Sequence, residues 1–214
     1  MKTYKAYIFD LDGTLLDSMG VWGQVDADFL AKRGIAIPPD YMDAISSMTF
    51  HETAVYTIKR FTLTDGVEDL KREWNDMAAY AYAHTVQMKP HAKEYLITLR
   101  ERGAKLAVAT SLSAELCAPV LRNNGIDNFF DLVCRTDEVG HGKSHPDVFL
   151  MTAKKIGVPP QDCLVFEDIL VAVKSAKSAN FSVCAVYDNA SESDWEQIRT
   201  VADYAIIDFN EALI

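Results

Sequence analysis

The chain has 214 residues, of which 49% are hydrophobic, and a formal net charge of -10 at pH 7. This length allows a full hydrophobic core, organised as one large domain or as a core with a small insert. The negative charge argues against nucleic acid as a partner, because a polyanion would be repelled. The longest apolar runs have the length of strands and fall short of the roughly 20 residues that span a bilayer.

Residues 4–9 form the first predicted strand, which ends directly before Asp10. The residues before it lack the apolar segment and cleavage site of a signal peptide, so we expect a cytoplasmic protein. The cysteines fit this prediction, because all of them lie far apart in apolar stretches without a CxxC pair, as buried thiols in a reducing compartment do. They are Cys117, Cys134, Cys163 and Cys184.

Residues 17–87 contain one helical pattern after another and no comparable strand pattern. We therefore predict a small helical domain inserted after the first strand. Its apolar and aromatic positions at helical spacings are Trp22, Phe29, Leu30, Tyr56, Phe61, Leu70, Trp74 and Tyr80.

From residue 88 onward, strand patterns alternate with helical patterns, which predicts a parallel sheet with crossover helices. The predicted helices cover residues 90–102, 114–124, 146–156 and 169–179, with Ser113 as the cap of the second one. The predicted strands cover residues 105–110, 132–134, 163–166, 182–187 and 204–207.

Two carboxylates, Asp10 and Asp12, follow the first strand in the sequence DLDGT. Ligands bind at the carboxyl ends of the strands in such sheets, and two neighbouring acids ionise together only with a cation or a shared proton. The pair therefore suggests a divalent metal, with one acid as nucleophile and the other as acid/base. Gly13 allows a tight turn and Thr14 offers a hydroxyl. In isolation, DLDGT is equally compatible with an ordinary turn.

Three later features belong to the same edge of the predicted sheet. Thr110 and Ser111 follow a strand and offer hydroxyl and backbone N–H groups, although such a pair is commonly a helix cap. Lys143 precedes a helix and can supply positive charge, although a single lysine is usually solvated. Glu167 and Asp168 suit a hard cation such as magnesium, although acids also favour helix starts through the dipole.

Together the four features resemble the haloacid dehalogenase superfamily, in the subgroup that contains beta-phosphoglucomutase and phosphoglycolate phosphatase. The resemblance covers essentially the whole chain, and DLDGTLLDS is its most specific motif. It implies an α/β fold with a Rossmann-like three-layer core and a parallel sheet, formed by residues 1–16 and 88–214. It also implies that residues 17–87 form a small all-α cap domain.

The resemblance assigns a role to each motif residue. It implies that Asp10 is the nucleophile and that Asp12 is the general acid/base. It also implies that Mg²⁺ is bound by Asp10, the Asp12 backbone carbonyl, Glu167 and Asp168. It implies that Thr110, Ser111 and Lys143 bind the phosphoryl oxygens. The chain departs from the family pattern at Ser144, where a proline is usual, and at Ile169, Ala172 and Asn180, where small residues are usual. None of these departures removes a ligand.

The predicted function is a magnesium-dependent phosphatase that acts on a small-molecule phosphate ester as a monomer. A phosphomutase of the beta-phosphoglucomutase type and a non-catalytic phosphometabolite sensor stay open as alternatives. A mutase must re-bind a sugar bisphosphate, which requires cationic cap residues that face the site, and the directions of Lys59, Arg60, Lys71 and Arg72 do not follow from the sequence. His51 is the candidate for a substrate contact from the cap.

Overall fold

The computed structural model describes residues 2–212, and these form an α/β fold around a parallel sheet. The sheet has six strands in the order β3-β2-β1-β4-β5-β6, and every neighbouring pair is parallel. The strands are β1 Ala6–Phe9, β2 Lys105–Thr110, β3 Leu132–Arg135, β4 Cys163–Glu167, β5 Ser182–Val186 and β6 Tyr204–Ile206. The predicted fold class is confirmed.

The central strands are apolar at successive positions because both faces of the sheet are covered. On one face, Phe9 stacks on Phe166 with ring centroids 4.7 Å apart. On the other face, Ile8 and Val165 belong to a second buried cluster, which also contains Phe149. Burial on both sides fixes the sheet as the rigid platform from which the strand-end residues project.

Helices cover the sheet and form the segment that follows β1. They are α1 Met19–Ala31, α2 Tyr41–Ile45, α3 Phe50–Phe61, α4 Val67–His84, α5 Ala92–Glu101, α6 Ala114–Asn123, α7 Asp147–Ile156, α8 Leu170–Ser178 and α9 Trp195–Val201. None of the described helices is long and apolar enough to cross a membrane.

Residues 17–87, which we call the helical insert, contain α1 to α4 and no strand in the described structure. Leu16 and Met88 form an isolated antiparallel bridge, so the two connections of the insert leave the sheet side by side. Helix α4 packs on α6 of the remaining chain. The division into cap and core at these boundaries stays a prediction.

Helix starts differ slightly from those predicted. Helix α5 begins at Ala92 because Pro90 and His91 form the preceding turn, in which His91 has a φ of 58°. Ser113 occupies the N-cap position of α6, but its hydroxyl donates to Asn75 Oδ1 of the insert at 2.8 Å instead of capping the helix. A tertiary contact has replaced the local cap. The four cysteines are free and buried, as predicted.

Candidate active site

The carboxyl ends of β1, β2 and β4 open into a cavity of about 210 Å³ that the helical insert covers from the other side. One ordered water needs roughly 10–15 Å³ of such a cavity, so there is room for a small ligand. The predicted site residues that line it are Asp10, Asp12, Thr110, Ser111, Lys143 and Asp168. Glu167 lies beneath them and is fully buried.

Lys143 lies between two carboxylates at the floor of the cavity. Its ammonium group forms ion pairs with Asp10 and with Glu167. Burial acts to lower the pKa of Lys143, but the two carboxylates more than offset this effect and raise it above its ordinary value. The lysine therefore stays charged and holds the Asp10 carboxylate in one orientation.

Asp10, Glu167 and Asp168 form a cluster that suits a cation. One carboxylate oxygen from each residue lies within 4.8 Å of the others, and all three residues are buried. Burial raises the pKa of Glu167 to about 7, with Lys143 opposing and Asp10 adding to the effect. Burial and the two neighbouring acids also raise the pKa of Asp168 well above its ordinary value. Three carboxylates face one lysine, and this excess of buried negative charge fits a divalent cation with oxygen ligands.

The turn after β1 brings the backbone against Asp168. Thr14 Oγ1 donates a hydrogen bond to Asp168 Oδ1 at 2.9 Å. Gly13 has a φ of +78°, and a Cβ atom at this position would overlap the Asp168 carboxylate. The glycine is therefore required both by its backbone conformation and by the close approach.

Asp12 points toward the helical insert. Its Oδ1 accepts hydrogen bonds from Ser18 Oγ at 2.6 Å and from Tyr82 Oη at 2.5 Å. Burial raises the pKa of Asp12 to about 6, although both hydroxyl donors act in the opposite direction. A carboxyl that titrates near neutrality is suited to proton transfer in both directions. Tyr82 is not among the predicted site residues, since nothing in its local sequence pattern distinguishes it from a core aromatic.

Thr110 and Ser111 occupy the end of β2 beside Asp10. Thr110 Oγ1 accepts from the backbone N–H of Leu112 at 3.1 Å, and Ser111 Oγ accepts from Thr136 Oγ1 at 3.2 Å. Both residues line the cavity. Their hydroxyl and backbone donors thus lie at the same end of the cavity as Lys143, so this end offers several donors to an anionic ligand.

The insert side of the cavity is built from helical faces. Met19, Trp22 and Asp26 are three and four positions apart on α1, so they lie on one face of that helix. Aromatic rings from α3 and α4 continue the wall: the ring centroids of Phe50 lie 6.0 Å from those of Trp22 and 5.6 Å from those of Trp74. We call the lining residues Met19, Trp22, Asp26, Phe50, Thr53 and Trp74 the insert wall.

The sequence pattern predicts Trp22 and Trp74 only as aromatic positions at helical spacings and does not single out Asp26. The available signal was an acid on the same helical face as a tryptophan, but this pattern is also found on solvated surfaces. His51, the predicted substrate contact, does not line the cavity. Its imidazole is half exposed and lies 3.9 Å from the Glu68 carboxylate. Phe50, the preceding residue of α3, is buried and lines the cavity, whereas His51 lies on the exposed side of the same helix.

A loop contact joins the lysine of the site to the helical insert. The backbone N–H of Lys143 donates to the carbonyl of Ser47 at 2.9 Å. A Cβ atom on Gly142 would overlap this carbonyl oxygen, so only glycine allows the approach. The position of the insert over the cavity is therefore coupled to the loop that carries Lys143.

Comparison with known proteins shows the family and the fold. Residues 7–186 match the family of haloacid dehalogenase-like hydrolases. A phosphorylated carbohydrates phosphatase from Thermotoga maritima is 26% identical over 175 residues, which are 82% of this chain and 81% of the relative. CbbY from Rhodobacter sphaeroides, crystallised with phosphate, has the same fold with a TM-score of 0.86 at 20% identity, over 98% of this chain and 96% of that one.

The beta-phosphoglucomutase of Clostridium difficile also shares the fold, with a TM-score of 0.82 at 21% identity. The alignment covers 98% of this chain and 93% of the mutase. The family match extends over most of the sequence, from β1 through β5. The chain therefore belongs to the haloacid dehalogenase-like hydrolases.

Proposed function

We propose that the protein hydrolyses a small phosphate monoester with Mg²⁺ through an aspartyl-phosphate on Asp10. One observation carries the proposal. The Asp10 carboxylate is exposed to the cavity, paired with Lys143 and clustered with Glu167 and Asp168. A nucleophile, a fixed cation and a carboxylate cluster thus meet at the end of one cavity, with Asp12 beside them.

In the first step, an Asp10 oxygen attacks phosphorus and the bond from phosphorus to the ester oxygen breaks. Protonated Asp12 donates its proton to the departing alcohol. In the second step, ionised Asp12 removes a proton from a water molecule, whose oxygen attacks the same phosphorus. The bond to Asp10 breaks, inorganic phosphate leaves, and Asp12 is protonated again for the next cycle.

The remaining residues bind and orient the phosphoryl group. The Lys143 ammonium, the Thr110 hydroxyl and the Ser111 backbone N–H donate to its oxygens. Asp10, the Asp12 carbonyl, Glu167 and Asp168 would hold Mg²⁺. When bound, this ion supplies the positive charge that reduces repulsion between the carboxylate nucleophile and the anionic ester.

The relatives support hydrolysis, since the Thermotoga protein is named as a phosphatase of phosphorylated carbohydrates. A sugar phosphate or a similar metabolite is therefore our first substrate class. The likeness to beta-phosphoglucomutase concerns the fold alone. In the described residues, the insert wall presents no lysine, arginine or histidine to the cavity, which disfavours retention of a bisphosphate. Intact Asp10 and Asp12 disfavour a sensor without catalysis.

The test is release of inorganic phosphate from a panel of small monoesters, with and without Mg²⁺. Asp10→Asn should abolish release because it removes the nucleophile, while Asp17→Asn, an exposed change in the same segment, should preserve it. The panel includes beta-glucose 1-phosphate with a trace of the 1,6-bisphosphate. Isomerisation to glucose 6-phosphate without phosphate release would contradict the phosphatase proposal and support the mutase alternative. Release that persists in Asp10→Asn would contradict the proposed nucleophile.

A further inference from the structure

Asp26 is a buried acid without a partner. It lies in α1, lines the cavity and is only 5% exposed. Within residues 2–212, its carboxylate has no hydrogen-bond donor and no ion pair, and burial is the one cause that raises its pKa, to about 7. Buried charges in folded proteins are normally paired, so an unpaired carboxylate that faces a cavity requires an explanation.

Aromatic rings line the same cavity as this carboxylate. Trp22 lies one helical turn before Asp26, and Phe50 and Trp74 complete a run of rings whose neighbouring centroids are 6.0 and 5.6 Å apart. All of these side chains line the cavity. An aromatic face carries negative electrostatic potential and attracts a cation, most strongly where water is excluded.

The charged residues on the insert side of the cavity also favour a cationic ligand. Its charged lining residues are Asp26 and, at the exposed rim, Asp43. Among the described residues of the cavity, Lys143 is the only basic one, and it is already paired with Asp10 and Glu167. A second anionic group on the substrate would be repelled here. An uncharged polyol would leave Asp26 without a counter-charge, whereas an ammonium group compensates the acid and contacts the rings.

We propose that the substrate is a phosphate monoester with an ammonium group at the end remote from the phosphate, held by Asp26 and the rings of Trp22, Phe50 and Trp74. The substrate class rests on the proposed phosphatase function. The cation pocket itself depends only on the insert wall. Asp26 acts here as a specificity-determining residue and takes no part in bond making or breaking.

The first experiment compares matched pairs of esters that differ in one charge. Choline phosphate is paired with its uncharged isostere 3,3-dimethylbutyl phosphate, and glucosamine 6-phosphate is paired with glucose 6-phosphate. We expect the cationic member to be preferred by at least about tenfold in kcat/KM, mainly through a lower KM. Equal or better turnover of the neutral members would overturn the proposal without the use of any variant.

The second experiment assigns the preference to Asp26. Asp26→Asn keeps the shape of the side chain and removes its charge, so the ratio between charged and neutral esters should fall to about one. Asp28→Asn is the matched control, since it makes the same change at an exposed position of the same helix. A preference that survives Asp26→Asn would contradict the role of this carboxylate.

A binding measurement separates this proposal from the proposed function. Choline and 3,3-dimethylbutanol are titrated into the intact protein in the absence of any ester, and tryptophan fluorescence reports occupation beside Trp22 and Trp74. Choline binding that is lost in Asp26→Asn supports the cation pocket even if no ester is hydrolysed, in which case only the phosphatase fails. Hydrolysis of neutral esters without choline binding rejects the cation pocket and leaves the phosphatase intact.

Discussion

The two walls of the cavity differ in how their buried charges are compensated. On the sheet side the buried carboxylates lie around a fixed cation, since Lys143 pairs with Asp10 and Glu167. On the insert side the wall is mainly aromatic and apolar, and its one buried charge, Asp26, has no partner among the described residues. The sheet side thus combines a paired lysine with a carboxylate cluster that could hold a metal ion, whereas Asp26 on the insert side has no compensating group among the described residues.

This difference separates two tasks. Fixed donors and paired charges do not reorganise during the reaction, which is what stabilisation of a transferring phosphoryl group requires. An unpaired group in an apolar wall discriminates strongly between ligands, because a wrong ligand leaves it desolvated and uncompensated. Changes on the sheet side should therefore affect turnover of all esters, and changes on the insert side should affect the choice among them.

The largest effect is expected for Lys143→Met on the sheet side. The change leaves Asp10 and Glu167 buried without their cation, so we expect kcat to fall by about 10²–10³ for every ester. The thermal midpoint should also fall in Mg²⁺-free buffer and recover partly when Mg²⁺ is added. Kinetics and thermal unfolding measure both effects, with exposed Lys154→Met as the control. A loss confined to one substrate would contradict the division between the walls.

Gly142→Ala tests the contact that joins the two walls. Its new methyl group would overlap the Ser47 carbonyl, so the hydrogen bond from the Lys143 N–H must lengthen or break. Misplacement of a catalytic group by about 1 Å costs up to roughly 10²-fold, and we expect a loss of kcat/KM of about 10-fold or more. Gly23→Ala is the control, since a Cβ atom there meets nothing within 4 Å. Unchanged kinetics would show that the insert and the lysine loop act independently.

A third effect concerns stability and pH on the insert side. Burial raises the pKa of Asp26 to about 7, so folding favours the protonated acid. The protonated carboxyl makes its full contribution to the stability of the folded protein below the unfolded pKa of about 3.9. This contribution is lost as pH rises through 7, and the free energy of unfolding falls by at most about 1.4 kcal/mol per pH unit. Asp26→Asn should therefore gain free energy of unfolding relative to the natural protein as pH rises from 4 to 7.

Urea unfolding across this pH range measures the difference, and Asp28→Asn should show no such trend because its carboxylate is exposed. Choline should reduce the difference at pH 7 because it binds the ionised form of the natural protein. A difference that is constant with pH would show that Asp26 is ionised at no cost in the folded protein.

Much of the sheet side follows from local sequence. Strands with unbroken apolar runs predict a parallel sheet, and the carboxyl ends of parallel strands lie at one edge, so residues that follow different strands must meet there. Asp10, Thr110 and Asp168 come together for this reason, although they are far apart in sequence. Their individual roles in catalysis stay predictions.

The sequence by itself therefore determined the fold class and the cluster of strand-end groups, because backbone topology alone brings them to one edge. Only the tertiary structure decided which helical faces meet the cavity. Helical periodicity shows that Trp22 and Asp26 share a face, but the packing of α1 against its neighbours decides whether that face meets core, solvent or ligand. The same packing sends His51 outward and brings Tyr82 to Asp12.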